Sequence, residues 1–156
     1  MRIKLLVIGK TDDKNLGQLI EKYQQRLNHY INFEIEIIPD IKNVKNLSQL
    51  QQKEKEGELI LSKLKNTDQL VLLDEKGKEF RSLDFANFLQ KKMNSGIKQL
   101  VLVVGGPYGF SESVYKKTVG KVSLSKMTFS HQMIRLFIVE QLYRGFTILK
   151  NEPYHH

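Results

Sequence analysis

Hydrophobic and polar positions switch between two periods along this chain, and the switches predict its elements. Ile3 to Ile8 is apolar with one break, as expected of a strand covered on both faces. From Asp12 to Asn28 the apolar positions Leu16, Leu19, Ile20, Tyr23 and Leu27 share one face of a helix. Phe33, Ile35 and Ile37 alternate with Glu34 and Glu36, which predicts a half-buried strand ended by Pro39. Ile41 to Asn46 reads as a polar connector. A charged helix then runs to Leu64, with Leu59, Ile60 and Leu64 packing and the EKEGE stretch, residues 54–58, facing water. Leu70 to Asp74 is a third strand, turned at Lys76-Gly77-Lys78. Ser82 is expected to cap a helix carrying Leu83, Phe85, Phe88, Leu89 and Met93. The fourth strand, Leu100 to Val104, stops at Gly105-Gly106-Pro107-Tyr108-Gly109. A short helix from Ser111 and a strand-like Lys121 to Ser125 lead into the last helix, Ser130 to Leu149.

This alternation predicts an α/β domain, one unit over 1–156, with a mostly parallel sheet and helices on both faces. Ligands of such sheets sit at the carboxyl ends of the strands. The last helix departs from the pattern. Met133, Ile134, Leu136, Phe137, Ile138, Val139, Leu142, Tyr143 and Phe146 leave it apolar around most of its circumference, so more than one side needs cover. In so small a domain a second copy of the chain would supply that cover, and a homodimer is expected.

Composition narrows the class. With 40% hydrophobic and 27% charged residues the chain has the balance of a globular protein and is not disordered. The absence of cysteine excludes disulfides, thiolate metal sites and thiol nucleophiles. It fits a reducing, cytoplasmic setting. The first apolar run is too short for a signal peptide, and none approaches the ~18 residues of a membrane span, so no membrane partner is expected. A net charge of +8 attracts polyanions, of which nucleic acid is the commonest. Most of that charge is lysine, which attracts diffusely. Arginine, the better bidentate reader of phosphates and bases, occurs only as Arg2, Arg26, Arg81, Arg135 and Arg144.

Three stretches carry candidate chemistry. The GGPYG loop matches neither the dinucleotide fingerprint nor the P-loop, and Gly9-Lys10-Thr11 ends like a P-loop but lacks its preceding glycine. A phosphate cradle is therefore disfavoured, leaving a tight strand-to-helix turn or close approach to some other ligand. The loop Leu124-Ser125-Lys126-Met127-Thr128-Phe129 mixes small, polar and apolar side chains, which suits an uncharged ring such as adenine. The tail Asn151-Glu152-Pro153-Tyr154-His155-His156 is either a frayed end or a functional one. Adjacent histidines are poorly spaced for a metal, and no metal site is expected.

VVGGPYG, SLSKMTFSHQMIR, VEQLYRGF and the closing NEPYHH together resemble the RlmH family of SPOUT-class methyltransferases, small bacterial enzymes that methylate pseudouridine in large-subunit ribosomal RNA. The resemblance runs over the whole chain, including the VIGK start, the KEGE helix and the LVLLDEKGK strand. It implies a trefoil knot in the C-terminal half, which spacing alone does not foresee because knots are rare, and a homodimer packed through it. It implies S-adenosylmethionine as methyl donor, held by Leu73, Gly105 and the loop Leu124, Ser125, Lys126, Met127, Thr128 and Phe129. The implied reaction is methylation of N3 of a pseudouridine in the helix 69 hairpin of 23S ribosomal RNA, on the assembled ribosome.

In that reading His155 is the candidate base for the N3 proton, because an imidazole titrates near neutrality. Tyr154 would orient the base or stack on it. Arg144 and His131 are the candidates for RNA contact. The competing expectation for Arg144 is an ion pair with Glu140, one helical turn away. His156 stands where the family pattern usually continues with lysine or arginine, which weakens a phosphate contact there. A SPOUT methyltransferase acting on another RNA, and a non-catalytic basic RNA-binding module, are the alternatives.

Overall fold

The computed structural model describes all 156 residues, Met1 to His156. Strands and helices alternate throughout: β1 (Arg2–Ile8), α1 (Lys14–Leu27), β2 (Phe33–Ile38), α2 (Gln49–Ser62), β3 (Asp68–Glu79) and α3 (Ser82–Asn94). They are followed by β4 (Gln99–Val104), α4 (Glu112–Lys117), β5 (Gly120–Ser123) and α5 (His131–Leu149). The strands form one sheet in the order β2-β1-β4-β3-β5, and every neighbouring pair is parallel. Strand order reverses between β1 and β4.

Successive side chains of a strand point to opposite faces. Ile3, Leu5 and Val7 of β1 and Leu100, Leu102 and Val104 of β4 meet the layer of α1, α3 and α5. Leu6 and Ile8, with Val101 and Val103, meet α2 and α4. Both strands are thus largely buried on both faces, the reason they read as apolar runs, unbroken in β4 from Leu100 to Val104 and interrupted in β1 only at Lys4. No helix is long and apolar enough to cross a membrane.

Helix starts are set by side-chain caps on the first free amides. Asp13 accepts from Leu16 N at 2.8 Å, and Ser48 and Gln51 form a reciprocal capping box. Ser111 and Ser130 cap α4 and α5. Ser82 does not cap α3, contrary to expectation. Its hydroxyl donates to Gln141 Oε1 at 3.0 Å, across to α5, and Arg81 takes the cap position without a side-chain bond. Leu59 and Leu83 are exposed, and Ile37 is exposed on the edge strand β2, where Ile38 turns to the opposite face. Glu36 of that strand pairs with Lys4 at 2.6 Å and Lys63 at 2.9 Å.

Gly17 lies inside α1, and a methyl group there would meet nothing within 4 Å. Gly17→Ala should therefore raise stability by about 0.5–1 kcal/mol, read as a higher urea midpoint at unchanged slope.

The expected turn at Lys76-Gly77-Lys78 is instead a continuation of β3. Val122 of β5 pairs with Leu73, and after a detour through residues 74–77 it pairs again with Lys78. Gly77 passes so close to β5 that a Cβ would lie 2.7 Å from backbone atoms of Lys121 and Val122. One strand therefore grips β5 twice, and the detour becomes a wall of the site.

Candidate functional site

The carboxyl ends of β3, β4 and β5 open on a cavity of about 670 Å³. Leu73 and the detour residues Asp74, Glu75 and Lys76 form one wall, and Gly105 to Phe110 form another. Leu124, Ser125, Met127, Thr128 and Phe129 close it from the loop after β5, with His131 and Ile134 of α5 at its end. All the expected donor-site residues meet here except Lys126, which does not line the cavity. His131, expected at the RNA, lines it too.

The loop after β5 holds itself: Ser123 Oγ donates to Ser125 O at 2.9 Å, and Met127 N donates to Ser125 Oγ at 2.9 Å. Across the mouth, Tyr115 OH donates to Asp74 Oδ2 at 2.5 Å. Burial, then the bond to Asp74, pushes the Tyr115 phenol up to about 12, so it stays a donor. Asp74, Glu75 and Tyr115 are site residues that the sequence reading did not single out. The carboxylates stood in the quoted LVLLDEKGK strand, whereas nothing in the local pattern of the short α4 marks Tyr115.

The two glycines after β4 answer to protein neighbours. A Cβ at Gly105 would lie 3.0 Å from the Phe110 ring, and one at Gly106 would lie 2.4 Å from Glu56 Oε2. Gly109 adopts φ +79 and closes the turn by donating to Gly106 O at 3.2 Å.

Glu56 corrects the expectation that the EKEGE stretch is solvated. It is 3% exposed, and Gly57 beside it packs on the Ser111 hydroxyl. Its Oε1 accepts from Gln52 Nε2 at 3.0 Å, and its Oε2 has no partner. Burial pushes its carboxyl above the usual carboxylate range, Asp40 adds to this, and the Gln52 bond and His131 oppose it. The sequence signal was a glycine inside a helix, which commonly marks close packing.

Next to the cavity α5 sends a buried arginine under the sheet's edge. Arg135 is 2% exposed and donates to Ile8 O at 2.7 Å, Gly9 O at 2.9 Å and Thr11 Oγ1 at 3.2 Å. It closes the carboxyl end of β1.

The tail residues gather elsewhere. Tyr154 folds back on α5, its ring edge-on to Tyr143 at 4.7 Å and its hydroxyl donating to Glu140 Oε1 at 3.0 Å. Burial first, then bonds to Tyr23 and Glu140, holds this phenol protonated. Arg144 pairs with Glu140 at 2.6 Å, as the competing expectation had it. It also lies over the Tyr154 ring at 4.7 Å and reaches His155 Nδ1 at 3.5 Å. Neither Tyr154 nor His155 lines the cavity of its own chain. Between cluster and cavity runs an apolar groove of about 680 Å³, with Leu19, Phe80, Leu136 and Phe137 in its walls. It touches Phe129 at one end and Glu140 at the other.

Known proteins match along the full chain. The chain is 74% identical over 156 residues to a Flavobacterium psychrophilum protein named Ribosomal RNA large subunit methyltransferase H, covering all of this chain and 99% of that one. Proteins of the same name from Flavobacterium johnsoniae and Porphyromonas gingivalis are 73% and 55% identical, at the same coverage. The family model described as "Predicted SPOUT methyltransferase" matches residues 1–155. With its parallel sheet, doubly gripped β5 and cavity at the strand ends, the chain belongs to the SPOUT methyltransferase family.

Proposed function

We propose that this chain transfers the methyl group of S-adenosylmethionine to N3 of a pseudouridine in the helix 69 loop of 23S ribosomal RNA, as a cytoplasmic homodimer acting on the assembled ribosome. The observation that carries the reading is the make-up of the cavity. Two carboxylates, Asp74 and Glu75, and one lysine, Lys76, stand among apolar side chains and backbone edges. That set suits a cationic nucleoside better than a phosphate. The relatives' shared name supports ribosomal RNA as the acceptor.

When bound, S-adenosylmethionine supplies an electrophilic methyl on a positively charged sulfur. Leu73, Leu124 and Met127 offer apolar walls, Gly105 a backbone edge, and Asp74 and Glu75 the negative charge a sulfonium or ammonium group favours. β3 pairs with β5 on both sides of its detour, which ties two walls of the cavity together, and the SPOUT family implies a trefoil knot in this half of the chain.

The acceptor N3 carries a proton that the protein must take or pass to water. His155 is our candidate. At rest, Arg144 has only donors to offer, so this contact needs Nδ1 as acceptor and leaves the His155 proton on Nε2. To act as a base, His155 must leave Arg144. A second copy seated on the apolar groove supplies the route. A two-fold contact pairs each groove with itself in reverse, bringing one chain's Glu140 end, and with it Tyr154 and His155, toward the other's Phe129 end. Arg144 and His131 would then flank the RNA from both chains.

His155→Ala should slow single-turnover methyl transfer on saturating ribosomes by about a hundredfold with donor affinity unchanged. Full rates would sink the base role. Sedimentation at micromolar concentration should give twice the chain mass, and a monomer would remove the shared site. Particles bearing uridine in place of the target pseudouridine should accept methyl poorly. Equal acceptance would point to another specificity.

A further inference from the structure

The glycine turn beneath the cavity rests on α2. At one end Glu56 lies against Gly106, leaving no room for a Cβ, and at the other Gly57 lies against Ser111, the cap of α4. The two consecutive α2 residues thus brace both ends of the loop that forms one cavity wall. A surface helix exposes its glutamates. This one is 97% hidden, meets one neutral donor, Gln52, and leaves one oxygen unpartnered below the turn. No lysine or arginine pairs with it. The charged groups facing it are Asp40, which follows β2, and His131, at the start of α5. Burial without a cation favours the neutral acid over the carboxylate, and a neutral acid carries a hydroxyl donor.

We propose that Glu56 is a positioning residue of the methyl-transfer site, a buried carboxyl that sets the Gly105-Gly106 turn from beneath for the donor in the cavity. The proposal rests on reading this cavity as the methyl-donor site. Glu56 touches neither the donor nor the RNA; it acts through Gly106. Ionisation would leave an unpaired charge on the oxygen that lies against Gly106, drawing in water and opening the wall.

Calorimetry with S-adenosylmethionine, from about pH 5 to about pH 9, tests this in the full-length protein. Wild type should bind, and its affinity should fall as pH rises through the raised value of Glu56. Glu56→Gln keeps the shape without the titration, so its affinity should match wild type at low pH and lack the fall that Glu56 causes as pH rises. Glu56→Ala should weaken binding about tenfold at every pH. Ser48→Ala, which loosens α2 at its far end, should lower the melting temperature and leave affinity unchanged.

If wild type and Glu56→Gln show the same pH dependence, or Glu56→Ala binds as wild type does, the positioning role is wrong. A tenfold loss in Ser48→Ala would also overturn it, because any loosening of α2 would then suffice. Should Glu56→Ala fail to fold, the glutamine comparison decides alone. Absence of wild-type binding at millimolar donor would defeat the reading of the cavity itself, a result separate from any difference among variants.

Discussion

Gly77→Ala should destabilise the fold by about 3 kcal/mol and abolish donor binding with it. The added methyl would lie 2.7 Å from Lys121 C, Val122 C and Val122 N, which are all backbone atoms of a paired strand. A flexible side chain could swing away, but β5 cannot move without losing its pairing to Leu73 or Lys78. The same shift would displace Leu73 to Lys76 and Val122 to Ser125, which wall the cavity on two sides. Gly145→Ala is the matched control. Its new methyl would approach Leu89 Cδ1 at 2.9 Å, the free end of a side chain that can rotate, and alanine favours the helix it enters. Urea unfolding should separate the two variants clearly. Equal stability would mean that the detour of β3 is not a rigid grip.

Arg135→Met should cost about 3 kcal/mol or more, although it keeps the side chain's bulk. Three acceptors lose their donor, Ile8 O and Gly9 O in a buried place and Thr11 Oγ1 in a half-buried one. Burial lowers the affinity of Arg135 for its proton, and Asp12 and Asp40 offset that without touching it. Arg135→Lys should recover only part of the loss, because a compact ammonium cannot spread donors over three acceptors as a guanidinium does. The urea midpoint should rank wild type above lysine above methionine at unchanged slope. A methionine variant as stable as wild type would show that water fills the end of β1.

Glu56 adds a pH signature to stability. Its folded proton affinity is raised by burial, so the stabilisation is full below the ordinary carboxylate range and is lost as pH rises through the folded value. Glu56→Gln should therefore gain in melting temperature relative to wild type at alkaline pH and not at acid pH.

What could be read from the chain followed from how local its cause is. β1 and β4 are legible because burial on both faces writes apolar runs, broken only at Lys4, and α1 because one stripe faces the core. Ser82, Gly77 and Glu56 were misread for one reason: each answers to a residue far away in sequence. Ser82 bonds Gln141, Gly77 crosses Val122, and Glu56 meets Gly106. No period records such partners. The donor-side wall came from resemblance and converges on one cavity, Lys126 excepted. The tail could not be placed from sequence, because its cluster with Glu140 and Arg144 depends on the chain reversing at Asn151, whose φ is 54.

Methyl transfer to ribosomal RNA is read by incubating this protein and methyl-labelled S-adenosylmethionine with ribosomes from cells lacking it, then mapping the labelled nucleoside. About one methyl per large subunit is expected, on N3 of a helix 69 pseudouridine, falling as salt screens the lysine-rich surface. Label absent from ribosomal RNA, while the protein still binds the donor, would contradict it.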